Sequence, residues 1–167
     1  MSIEIRKIIE ADIPAIMDSI SVLEWNREDT VYFQYLQEQE QGLREVFVVF
    51  YEGDFAGHVN LIWNPPYQSF SDQGIPEISD LIVLPKFRQK GIATALMDLC
   101  ETTAKKQSDY CGLGVGLYKD YGPAQSLYMK RGYQLDCLGA TTHLKPVKPG
   151  TDVFVDDDLL IWLVKKL

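Results

Sequence analysis

Residues 81–93 read LIVLPKFRQKGIA, and the fold is decided there. A short apolar run stopped by a proline, then a basic turn holding a glycine, then the opening of an amphipathic helix: the order is buried strand, turn, helix N-terminus. Ile92, Leu96, Leu99 and Cys100 share one stripe of that helix. The first N–H groups of a helix have no intrahelical partners, the helix dipole adds partial positive charge, and Gly91 lets backbone approach a ligand closely. Lys86, Arg88 and Lys90 concentrate positive charge at the same turn in an otherwise acidic chain. A pyrophosphate fits such a turn. An isolated RxxGxA string is also compatible with an ordinary strand-to-helix connection carrying solvated lysines.

The flanking sequence alternates strand and helix. Upstream, residues 77–84 (EISDLIVL) are the strand that enters the turn, and residues 45–52 and 55–63 are β-rich runs joined as a hairpin at Gly53-Asp54. Residues 3–9 alternate as a strand. Asp12 is placed to cap a helix carrying Ile13, Ile16, Met17 and Ile20, and a second helix is expected from Thr30 to about Gln41. Residues 64–76, with three prolines, read as an irregular surface loop suited to binding. Downstream, the pattern predicts a strand over 110–118, a helix over 123–131 closed by Gly132, a strand over 133–138 and a last strand over 159–164. The expected class is mixed α/β in a single domain, 1–167.

Composition narrows the partners. The 167 residues are 46% apolar and 24% charged, an ordinary globular balance, and 24 acidic against 16 basic residues give a net charge of −8. That field repels nucleic acid and anionic membranes and draws cations. Cys100, Cys111 and Cys137 show no CxxC spacing, no apolar stretch is long enough to span a bilayer, and the N-terminus lacks a signal peptide's apolar core. A reducing, cytoplasmic location is expected.

A second block, YGPAQSLYMKRGY at 121–133, gives the turn its meaning. Arg88, Gly91 and Ala93 match the R/Q-x-x-G-x-G/A signature of the GNAT superfamily of acyl-CoA-dependent N-acyltransferases. Ala124, Leu127, Tyr128, Gly132 and Tyr133 match its later N-x-x-A-x-x-L-Y-x-x-x-G-F region. The chain therefore resembles that family over nearly its whole length. The resemblance implies a mostly antiparallel central sheet, splayed where acetyl-CoA enters and flanked by helices. It implies that the backbone of Leu81, Ile82 and Val83 pairs with the pantetheine amides, that Arg88, Gln89, Lys90, Gly91, Ile92 and Ala93 hold the pyrophosphate, and that Ala124 and Tyr128 line the cofactor. Tyr121 stands where the family's asparagine usually approaches the pantetheine arm. Tyr128 is the family's general acid toward sulfur, and Glu77 corresponds to the carboxylate that some members use as base.

The chemistry supports needing both roles, because the attacking amine must be neutral and the departing thiolate must be stabilised. A lysine-like amine of pKa about 10.4 is neutral in only about one molecule in 2,500 at pH 7, so a base matters most for alkylamines. Asp80 competes with Glu77, although strict alternation puts the two on opposite faces and a bulge would undo that distinction. The acceptor site is expected from residues 25–42 and 64–76, with Trp25, Tyr32, Tyr35, Trp63 and Tyr67 as candidate lining or as packing. His58 and His143 read as structural or solvated, and no metal is expected. Asp156, Asp157 and Asp158, alternating in extended chain, would not converge on one ion and read as a solvated run. The expected reaction is direct acetyl transfer from acetyl-CoA to a primary amine of a small cationic molecule, a polyamine or aminosugar. A protein or peptide amine acceptor, a non-catalytic acyl-CoA sensor and a homodimer remain open alternatives.

Overall fold

The computed structural model describes residues 2–23 and 25–167. These form two compact units, Met1–Trp63 with Ile78–Thr102 and Asn64–Glu77 with Thr103–Leu167.

In the first unit, β1 (Ile3–Lys7) pairs antiparallel with β2 (Arg44–Tyr51), and β2 with β3 (Asp54–Ile62). The β2–β3 turn is Glu52-Gly53, both at positive φ (52° and 89°), the twist that suits a two-residue hairpin. β4 (Glu77–Val83) follows β3, and the Leu84 N–H donates to the Ala56 carbonyl at 2.9 Å. Gly57 makes this approach possible: a Cβ there would lie 2.1 Å from the Ile82 carbonyl oxygen. The helices α1 (Ile13–Ser21) and α4 (Ile92–Ala104) follow the periodicity of their apolar residues, whereas α2 (Asp29–Glu40) buries chiefly Tyr32. Ile13, Ile16 and Ile20 are buried in α1, which packs on β3. A helix this short is marginal alone, and burial of each isoleucine, worth about 1.5–3 kcal/mol, holds it in place.

Asp12 does not cap α1 as expected. Its carboxylate instead receives both Arg6 guanidinium nitrogens at 2.7 Å and the Ile9 N–H at 2.9 Å, because residues 10–12 form a 3-10 turn that points it back at β1.

The second unit centres on β9 (Leu159–Lys166), which pairs antiparallel with β5 (Tyr110–Gly116), with β6 (Gln134–Leu135) and with β7 (Thr141–Thr142). β7 forms a small hairpin with β8 (Lys145–Pro146) that the sequence pattern did not foretell. Glu77, the first residue of β4, pairs parallel with Gly112. The strand expected over 133–138 shrinks to β6 because Cys137 takes a positive φ of 65° and ends the extended run. α5 (Gly122–Lys130) ends as expected at Gly132, φ 90°.

Residues 64–76 are not an irregular loop. They contain α3 (Gln68–Gln73), because Tyr67, Phe70 and Ile75 bury themselves with Trp162 in one apolar cluster. Tyr67 stacks flat on Trp162 at 3.9 Å between ring centroids, and Phe70 meets both rings edge-on. Tyr67 is thus core, with its hydroxyl donating to Asp136 at 2.7 Å.

Candidate functional site

The basic turn has the conformation its sequence anticipates. After β4 a 3-10 turn, Pro85–Phe87, buries Phe87, and Gln89 and Gly91 then take positive φ (61° and 77°) before α4 starts at Ile92. Left-handed residues ahead of a helix aim successive N–H groups outward as an anion-binding nest. No heavy atom lies within 4 Å of the position a Gly91 Cβ would take, so the backbone faces open space. Lys86, Arg88, Gln89 and Lys90 are exposed, while Ile92 anchors the helix in the core.

The cations are not loose. Lys86 pairs with Asp54 at 3.2 Å, Lys90 Nζ sits 5.0 Å over the Tyr51 ring, and Arg88 Nε donates to the Val83 carbonyl at 3.2 Å. That last bond joins the turn to the half-buried strand residues Leu81, Ile82 and Val83.

The same unit holds a polar cluster that sequence reading missed. Arg27 Nη1 and Nη2 donate to Asp80 Oδ2 and Oδ1 at 2.6 and 2.8 Å, and the Tyr35 hydroxyl donates to Oδ2 at 2.9 Å. Arg27 Nη1 also lies 3.3 Å from His58 Nε2, and the Tyr32 hydroxyl is 3.2 Å from the same nitrogen. Arginine can only donate, so Nε2 accepts and the ring proton sits on Nδ1. Burial holds the His58 imidazole below its ordinary pKa despite the neighbouring Asp80, so it is neutral at pH 7. Burial alone would raise the Asp80 carboxyl. The Arg27 fork, by hydrogen bond and charge, and the Tyr35 hydroxyl outweigh it and hold the group below the usual carboxylate range. The cluster is therefore one Arg⁺–Asp⁻ pair beside a neutral imidazole. His58 and Tyr32 are structural, and Arg27 and Asp80 lie too far apart in sequence for spacing to reveal.

Asp80 itself has φ 51°, in the middle of a strand. The left-handed region costs about 1–2 kcal/mol for most side chains, aspartate being among the more tolerant. This kink interrupts the strict alternation that the sequence pattern assigns to residues 77–84. Beside it, a recess of about 390 Å³ is lined by Asn26, Arg27, Glu28, Thr30 and Val31. The recess falls within the expected acceptor region, 25–42.

In the second unit Tyr128 is buried on α5, and burial pushes its phenol up to about 12. Its ring meets Tyr133 at 6.0 Å. Ala124 is half-buried one turn earlier, and Glu77 is buried at the start of β4. Tyr121 packs its ring where Gly116 has no side chain, since a Cβ there would come within 2.3 Å of it. Its hydroxyl donates to Asp157 at 2.8 Å, and Tyr118 donates to the same oxygen. The aspartate run is thus not merely solvated. It turns rather than extends: Asp156 and Asp158, with His143, bring ligand atoms within 4.8 Å of one another, while Asp157 is held apart by the two tyrosines. His143 Nδ1 lies 3.2 Å from Asp158 Oδ2.

Known proteins agree with this architecture. A ribosomal-protein-alanine N-acetyltransferase structure from Brucella melitensis superposes with a TM-score of 0.72 at 19% identity, covering 98% of this chain and 99% of that one. A putative acetyltransferase from Salmonella typhimurium, solved with its cofactor acetyl-CoA, gives 0.70 at 18% identity, over 99% and 94%. A chimeric spermidine N-acetyltransferase built on the Vibrio cholerae enzyme gives 0.69 at 16% identity, over 99% and 96%. At these identities the likeness speaks for the fold. No curated protein matches the chain. The acetyltransferase (GNAT) family model matches residues 11–133, which take in the basic turn, the Asp80 kink and the helix of Tyr128, and by that match the chain belongs to the GNAT family of acetyl-CoA-dependent N-acetyltransferases.

Proposed function

We propose that this enzyme moves the acetyl group of acetyl-CoA directly to the primary amine of a small cationic acceptor, the whole chain acting as one acetyltransferase domain. The observation that carries the donor side is the turn at Gly91, with left-handed backbone, open space at the Cβ position and three cations around the start of α4. These residues fit a pyrophosphate: N–H groups of Gly91, Ile92 and Ala93 would bind it, with Arg88, Gln89 and Lys90 around them. Leu81, Ile82 and Val83 would pair with the pantetheine amides by backbone, as an added strand does. Ala124 would line the arm. Tyr121, standing at the family's asparagine position, would bring an aromatic face held by Asp157 rather than an amide.

Acetyl-CoA supplies an acyl group activated as a thioester. Tyr128 is the proposed acid, and its raised pKa keeps the phenol protonated at pH 7, able to donate toward sulfur as negative charge develops. Glu77 is the proposed base. The amine loses a proton and the departing sulfur gains one, so the protein need only relay protons.

For the acceptor, the recess at residues 26–31 favours a compact amine. Asp80 already balances Arg27, which leaves Glu28 as the carboxylate among the lining residues, in a chain of net charge −8. The spermidine acetyltransferase among the similar structures supports a polyamine, and the ribosomal-protein-alanine enzyme supports a peptide α-amine. Calorimetric titration with acetyl-CoA, followed by thiol release across polyamines, aminosugars and short peptides, tests both halves. Gly91→Glu should weaken acetyl-CoA at least tenfold by placing a carboxylate where the phosphates sit. Unchanged affinity in that variant would remove the proposed donor site.

A further inference from the structure

We propose that Arg27 and Tyr35 are positioning residues for acetyl-CoA, acting through the backbone of Asp80. The inference rests on the donor site proposed above and adds what holds that site in shape.

Asp80 occupies a left-handed conformation inside a strand, which persists only where its surroundings over-determine it. Here the surroundings are explicit. The Asp80 carboxylate is gripped by a two-pronged guanidinium from the segment before α2 and by a hydroxyl from α2, and His58 of β3 backs the guanidinium at 3.3 Å. Immediately downstream, β4 is seated against Gly57, where Ile82 O occupies the space of a missing Cβ, and Leu84 N–H is bonded to Ala56. Val83 then accepts the Arg88 Nε–H. A continuous set of contacts thus runs from Arg27 and Tyr35 through the Asp80 kink and residues 81–83 to the basic turn. Releasing the carboxylate lets residue 80 return to an extended φ, which rotates the peptide units after it and moves the edge that receives the pantetheine.

Neither Arg27 nor Tyr35 need touch acetyl-CoA for this, and that gives the test. In Arg27→Met, calorimetric affinity for acetyl-CoA without acceptor should fall at least tenfold, and Arg27→Lys, which keeps charge but loses the planar fork, should fall similarly. Tyr35→Phe should fall about threefold. The second change is a rescue: in Arg27→Met/Asp80→Gly the glycine adopts positive φ unaided and leaves no orphaned carboxylate, so affinity should return to within threefold of wild type. Amide exchange at Leu84 should rise in Arg27→Met and recover in the double variant, a readout independent of any ligand. Wild-type affinity in Arg27→Met and Tyr35→Phe, or failure of the glycine to rescue a folded Arg27→Met protein, would overturn the positioning role while leaving the donor site intact. If wild type binds no acetyl-CoA at all, the functional reading itself fails and the positioning role with it.

Discussion

Replacing Gly57 by alanine tests the seat of β4 directly. The added methyl would lie 2.1 Å from the Ile82 oxygen and 3.1 Å from both the Ile82 carbonyl carbon and Val83 Cα. An ordinary carbon-to-oxygen contact is about 3.3 Å or more, so β4 must retreat by roughly 1 Å. The obstacle is backbone, so no side-chain rotation relieves it. Overpacking of this kind costs about 1–3 kcal/mol, which for a chain of this size lowers Tm by roughly 2–12 °C. The displaced residues are those proposed to pair with pantetheine, and a shift near 1 Å in a positioning element can cost about a hundredfold in turnover. Thermal unfolding reads the first effect, and acetyl-CoA titration with a thiol-release assay reads the second. A Gly57→Ala protein with wild-type Tm and wild-type acetyl-CoA affinity would refute the reasoning, since β4 would then have no need of its observed seat.

Tyr128→Phe should lower kcat by about a hundredfold or more with little change in acetyl-CoA affinity; full activity would remove Tyr128 from the mechanism. Because its phenol is pushed up to about 12, the rate of the native enzyme should show no alkaline decline from Tyr128 below about pH 10. Gly116→Ala should displace the Tyr121 ring, break its bond to Asp157 and cost about 1–3 kcal/mol in denaturant unfolding. His58 is held neutral in the fold, whereas in the unfolded chain it takes up a proton near pH 6.5. Stability is thus full above that pH and declines as pH falls through it toward the depressed folded value, and His58→Gln should flatten Tm between pH 6.5 and 5.

What could be read from sequence divides along the range of the interactions involved. The turn at 86–93 was legible because proline, glycine and the helix stripe act within a few residues, and the stop at Gly132 and the β2–β3 hairpin are local for the same reason, although the pattern placed the hairpin turn at Gly53-Asp54, one residue later than the observed Glu52-Gly53. The family resemblance added Tyr128, whose position on a helix face said only that it could be core. Residues 64–76 looked like an irregular binding loop, with Tyr67 as lining or as packing, since nothing local shows that Trp162 waits to stack on Tyr67. The Asp80 kink was equally invisible: its cause is an arginine 53 positions away, and no strand periodicity records a positive φ. Asp157 looked solvated for want of any sign that Tyr118 and Tyr121 would turn toward it.

The pairing registers also set an order of events in folding. Tyr51 faces Asp54 across a two-residue turn, so β2 and β3 can zip in microseconds once the turn forms. β9 must instead find β5 across the chain that joins Gly116 to Leu160. Closing a loop roughly fifteen times longer costs about 2 kcal/mol more in chain entropy before any contact rewards it. The hairpin is therefore placed to nucleate and β9 to dock late. Changes in the Glu52-Gly53 turn should act on the rate at which the protein forms, and changes in β9 on how long it lasts.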